Sequence, residues 1–158
     1  MGRFAPIFAA ALLMACGAVS IAAPPGPVEV AYPDGFREWT HVRSGYIGPE
    51  SPAFARFGGM HNIYANSTAL KGYRTGKFPD GSVIVFDVLD TASIASSLET
   101  TVRKFSDVME KRDGGWHYSE FRGDSRTERS VTTADGIAQC KGCHTKARTE
   151  EVYSGFQR

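Results

Sequence analysis

The stretch Asp80-Gly81-Ser82-Val83-Ile84-Val85-Phe86-Asp87-Val88-Leu89 decides the fold. An Asp-Gly pair marks a tight turn or a strand entry. The residues after it are rich in β-branched and aromatic side chains and form the clearest strand of the chain. Side chains alternate across a strand, so Val83 and Val85 face one way while Ile84, Phe86 and Val88 face the other. Both faces are apolar. A small antiparallel sheet commonly wets one face, so something else must cover the second.

Outward from this strand the signals are mixed. Met60 to Asn66 and Trp116 to Phe121 read as strands, the latter after the Asp113-Gly114-Gly115 turn. Lys71 to Gly81 reads as a turn region and Ser44 to Gly59 mostly as loop. Thr91 to Ser97, small and polar, reads as a loop or sheet edge. Phe36 to Val42 fits a short helix or a strand. So does Glu99 to Lys111, where Val102, Phe105, Val108 and Met109 match helical spacing but their neighbours tolerate a strand. Gly123 to Thr132 is a charged loop, and a short helix is expected from Ala134 through Cys140 to near Lys146.

The N-terminus reads as an address. Met1 to Ala23 carries one charge, Arg3, then an apolar run that closes on Ser20-Ile21-Ala22-Ala23 before Pro24-Pro25, the pattern of a secretory signal peptide cleaved after Ala22 or Ala23. An alternative takes Leu13-Met14-Ala15-Cys16 as a lipobox, with Cys16 lipidated and the protein anchored to a membrane. Both place the protein outside the cytoplasm, in the periplasm. Ala23 to Asp34 holds four prolines and reads as an extended leader that packs little; domain 36–158 follows.

The whole chain of 158 residues has an ordinary globular composition, with 42% hydrophobic and 22% charged residues. Its 18 Lys and Arg stand against 17 Asp and Glu, so net charge does not point to nucleic acid or an anionic membrane. Removal of the signal segment leaves two cysteines, Cys140 and Cys143.

Those two belong to Cys140-Lys141-Gly142-Cys143-His144, a C-x-x-C-H motif of covalent haem attachment. Two thiols on one helical turn can each add to a haem vinyl group, and the adjoining His144 can present its imidazole to the iron as proximal ligand. A thiol redox site would sit early in a βαβ unit. A zinc site would need a further ligand from His41, His61 or His117. One motif implies one haem c. The sixth iron position could be filled only by Met60, Met109, His41, His61 or His117, each of which first reads as core or hydrogen-bonded structure.

Phe36-Arg37-Glu38-Trp39, Ile63-Tyr64-Ala65-Asn66, Tyr73 to Val85 with its T-G-x-F-x-D-G segment, Asp107-Val108-Met109, Gly114-Gly115-Trp116, the haem motif and Val152-Tyr153 together resemble the cytochrome P-460 family, which includes cytochrome c′-beta. The resemblance implies an α+β fold, mainly an antiparallel β-sheet with a few helices and the haem-motif helix near the C-terminus. It also implies a five-coordinate c-type haem on His144 beside the sheet, and homodimers. In cross-linked members, which oxidise hydroxylamine, a lysine in the strand after the Asp-Gly turn bonds to the porphyrin; Phe86 stands there in this chain. Phe86 resembles instead the phenylalanine-capped pocket of cytochrome c′-beta, which binds nitric oxide and carbon monoxide.

The expected function is an exported mono-haem cytochrome binding NO or a related small nitrogen ligand, for sensing, scavenging or slow redox turnover. An electron-transfer cytochrome with a six-coordinate haem and a redox partner protein, or a hydroxylamine-oxidising enzyme, are the alternatives. His61 and Arg103 are the polar groups considered for acid-base work.

Overall fold

The computed structural model describes residues 1–2 and 30–157. The signal-segment reading, its Cys16 alternative and the leader up to Glu29 lie outside the described residues.

Five antiparallel strands form one sheet in sequence order: β1 (Thr40–Ile47), β2 (Gly59–Ala65), β3 (Val83–Ile94), β4 (Ser97–Arg112) and β5 (Gly115–Arg122). Three helices accompany it: α1 (Phe54–Phe57), α2 (Ser67–Thr75) and α3 (Ala134–His144). The fold is α+β and mainly sheet, as expected.

The two apolar faces of β3 are covered by different parts of the chain. Ile84 and Phe86 pack with Val42, Ile63, Ala65, Met109, Trp116 and Tyr118, and this core is closed by α2 through Ala69, by α3 through Ile137 and Cys140, and by Val152 of the tail. Val85 packs on the other side with Val108, Phe121, Phe36 and Val30. The leader was therefore expected to pack too little. Val30 is only 1% exposed, its N–H donates to Ser119 Oγ at 3.3 Å, and its carbonyl accepts from Arg129. A branched apolar side chain after the prolines fills the second face that the sheet could not leave wet.

Other boundaries differ from expectation for local reasons. Lys71 to Gly81 is not all turn. Asn66 caps α2 by accepting the Ala69 N–H at 2.8 Å, and Gly76, at φ 77°, ends it. Ser44 to Gly59 is loop only in part, since β1 continues to Ile47 and α1 occupies 54–57. Phe36–Glu38 is one 3₁₀ turn before β1. Thr91 to Ser97 is a hairpin: β3 runs to Ile94 and turns at Ala95 and Ser96, both with positive φ, into β4, so Glu99 to Lys111 is strand. Pairing on both sides overrides helical spacing there.

Candidate functional site

Helix α3 starts at Thr133, whose hydroxyl accepts the Gly136 N–H at 3.1 Å. Positions 140, 143 and 144 share one side of a helix, so Cys140, Cys143 and His144 present together. Both thiols are free. Cys140 packs against the core, and Cys143 is exposed. Burial pushes the Cys140 thiol up, and Asp107 adds to this while Arg56 opposes it.

The His144 ring is oriented by the tail. Its Nδ1 lies 2.7 Å from the Glu151 carbonyl oxygen. A carbonyl only accepts, so Nδ1 carries the proton and Nε2 keeps its lone pair free for a metal. The tail turns back to reach this position because Glu150 and Glu151 adopt left-handed backbone, φ 42° and 67°. Tyr118 and Tyr153 flank the ring at 5.1 and 5.5 Å. The Tyr118 hydroxyl donates to Glu151 Oε2 at 2.8 Å; burial and then that carboxylate push its ionisation above the usual phenol range. Tyr153 donates to the Cys143 carbonyl at 2.6 Å.

Opposite lies a row of cross-strand partners, Ile63, Phe86, Asp107 and Glu120. Phe86 meets Phe57 of α1 edge to face at 6.0 Å, and His61 lies 4.8 Å from it on the other side. Arg56, next to Phe57, pairs with Glu120 at 3.1 Å. Asp107 is held well above the ordinary aspartate range, first by burial and then by the charge and hydrogen bond of Glu120, against the pull of Arg56. Part of its surface still reaches solvent. A cleft of about 490 Å³ opens here, lined by Arg56, Lys104, Phe105, Glu120, Arg122 and Gln139, among others.

The residues singled out from sequence are distributed unequally. Phe86 and Cys140 pack on the same core. Of the strand histidines, His61 shares the face of Phe86, with its Nδ1 buried and unpartnered; burial and then Arg43 lower its basicity. His41 meets Tyr64 edge to face and pairs with Ser44 Oγ, and His117 alternates away from Trp116 and Tyr118. Met109 is buried core. Arg103 lies on the opposite face, because the irregular register between Val88 and Thr91 lets it pair with Asp87 and Asp124. Sequence reasoning missed Phe57, Arg56, Asp107 and Glu120. Alternation from Phe105 and from Trp116 carried the signal for the last two.

Residues 33–154 match the family model described as cytochrome P460. The chain belongs to the cytochrome P460 family. No curated protein matches it.

Membership makes the chain a haem-binding cytochrome, and its residues fit that group. A soft-donor pair of free thiols and an imidazole with an available Nε2 stand on one helix side. Phe57 and Phe86 supply an apolar wall. Arg56, Lys104 and Arg122 line the neighbouring cleft, each paired with a carboxylate of the chain, Glu120, Asp90 and Glu128 in turn. Among the described residues no group of three His, Cys, Asp or Glu side chains could hold a metal ion.

Proposed function

We propose that this cytochrome P460 protein is an exported mono-haem c-type cytochrome of the phenylalanine-capped, cytochrome c′-beta kind, which binds NO or a related small nitrogen ligand. Cys140 and Cys143 would carry the haem and His144 would ligate its iron. Bound there, the haem supplies an iron coordination position for a small ligand. The observation that carries this reading is the His144–Glu151 hydrogen bond, which leaves Nε2 as the one free ring nitrogen beside two free thiols.

The protein's own groups set what reaches the pocket. Phe86 and Phe57 meet edge to face and offer no hydrogen bond, so an uncharged diatomic loses least on entering between them. The segment 1–23 serves export, by cleavage or by lipidation at Cys16, and the functional unit is a homodimer.

Absorption spectra of the exported protein with and without NO and CO, together with a covalent haem stain, test the reading. A stained band and a ferrous form that binds both gases are expected. A ferrous form that binds neither, or a low-spin six-coordinate spectrum in both oxidation states, overturns gas binding in favour of electron transfer.

A second reading is favoured by one observation. Asp107, raised and hydrogen-bonded to Glu120 on the same face as Phe86, keeps a proton at a carboxyl beside that ring. The Asp107–Glu120 pair can exchange protons with a bound molecule, which suits redox turnover of hydroxylamine, whose oxidation releases protons. Hydroxylamine-dependent reduction of an electron acceptor that is lost in Asp107→Asn but not in Arg103→Gln would support it.

A further inference from the structure

The near-zero net charge conceals a segregation. Eight cations of the described residues are in ion pairs, from Arg37 with Asp87 to Arg126 with Asp34. Arg129 apart, seven make none: Arg43, and then Lys71, Arg74, Lys77, Lys141, Lys146 and Arg148. All six of the latter are exposed. Three lie on α2 and the turn after it, and three on α3 and the turn after it.

These two helices cover the same sheet face and are joined by consecutive residues of the tail. Tyr153 donates to the Cys143 carbonyl, and Ser154 Oγ is 2.6 Å from the Tyr73 hydroxyl of α2. The two cationic sets therefore flank one strip of chain, in whose middle the Cys143 sulfur and the 57%-exposed Tyr153 reach solvent. The carboxylates of that strip are already engaged: Glu150 Oε2 accepts the Phe78 N–H at 2.7 Å and faces Lys111, and Glu151 accepts from Tyr118. Asp135 and Asp80 lie at the outer ends of the two segments, Asp135 in the first turn of α3 and Asp80 bound to the Gly114 N–H.

We propose that this face is the docking surface for an acidic protein, an electron carrier that meets the chain over Cys143. The carrier role rests on the haem reading above; the preference for an acidic surface rests on the charge pattern alone. Six unpaired cations around an exposed aromatic attract an anionic surface and raise its encounter rate at low salt. A second copy presents the same cations and is repelled, so this is not the homodimer face.

The test uses labelled poly-L-glutamate as the acidic probe, followed by fluorescence anisotropy across ionic strength, with phosphatidylglycerol vesicles as a parallel arm. Binding that weakens about tenfold as salt is raised through the range where the Debye length falls below about 10 Å is expected. Arg74→Glu and Lys146→Glu should each weaken it several-fold. Arg43→Glu, which alters net charge equally, should not.

In the haem-loaded protein, reduced beforehand with dithionite and freed of the excess, oxidation by ferricyanide should slow with salt and in the same two variants. Equal loss in all three variants, no salt dependence, or binding to vesicles without binding to polyglutamate overturns the proposal. A chain that stains for no covalent haem but keeps the polyglutamate pattern overturns the haem and the carrier role and supports the acidic-surface preference.

Discussion

The His144 imidazole donates from Nδ1 to the backbone carbonyl of Glu151, seven residues on, at 2.7 Å. The bond fixes both tautomer and ring orientation without using a side chain that mutation could remove. If Nε2 is the iron ligand, His144→Gly should yield a haem still attached through its thiols but without the histidine-ligated spectrum, and added imidazole should restore that spectrum. An unchanged spectrum in His144→Gly removes the residue from the iron. Cys143→Ala should leave attachment through one sulfur or lose the haem, read by denaturing-gel haem stain and yield.

Phe86 faces Phe57, His61 and Asp107 at once. Phe86→Lys would place an ammonium opposite the Asp107 carboxyl, where it favours that carboxyl's ionised form. Affinity for CO should then change by about tenfold, equivalent to about 1.4 kcal/mol. A red-shifted ferrous Soret band in the variant would mark a new bond to the porphyrin. Unaltered gas affinity and an unaltered band would take Phe86 out of the ligand pocket.

The raised ionisation of Asp107 has a definite pH signature. Its folded value lies above its unfolded one, so it contributes stability that is complete below the unfolded value and is lost as pH rises through the folded value. Asp107→Asn has no such loss. Its stability relative to wild type should increase with pH, by up to about 1.4 kcal/mol for each unit of the shift. Urea denaturation of both proteins from about pH 4 to 8 reads this difference; a difference constant across that range would show an ordinary carboxyl.

Gly72 tests packing against propensity. Alanine would gain up to about 1 kcal/mol in a helix interior, but a Cβ there would collide with Phe78 Cδ1. Phe78 is pinned between Tyr73 and Trp116 at 5.2 and 5.6 Å and has little freedom to move. Overpacking of this kind costs roughly 1 to 3 kcal/mol, so Gly72→Ala should lower stability by about 1 to 2 kcal/mol in thermal or urea unfolding. A stabilised variant would mean that α2 can lift off the sheet.

Several of these features were legible before the fold. The doubly apolar Ser82 to Leu89 segment announced a strand covered on both sides, and the pattern failed only in naming the covers. Val30 escaped notice because prolines around it suggested an unpacked leader, while burial of an isolated branched residue depends on the sheet behind it. Helix α2 escaped because Gly72 weakens its pattern, although Asn66 and Gly76 mark its ends. Asp107 and Glu120 look like the solvent side of two strands until alternation is counted from Phe105 and Trp116, and Arg103 then breaks the count at an irregular register. Phe57 and Arg56 come from a four-residue helix too short to announce itself.

The strip from Glu150 to Gln157 also orders events in the life of the chain. It supplies the carbonyl that sets His144 and ties α3 to α2, and through the Gln157 N–H it reaches the Val42 carbonyl of the first strand. All of this follows the Cys140–His144 segment in the chain and so in synthesis. The thiols therefore emerge before their clasp, and Cys140 and Cys143 are reachable while the fold around His144 is still open.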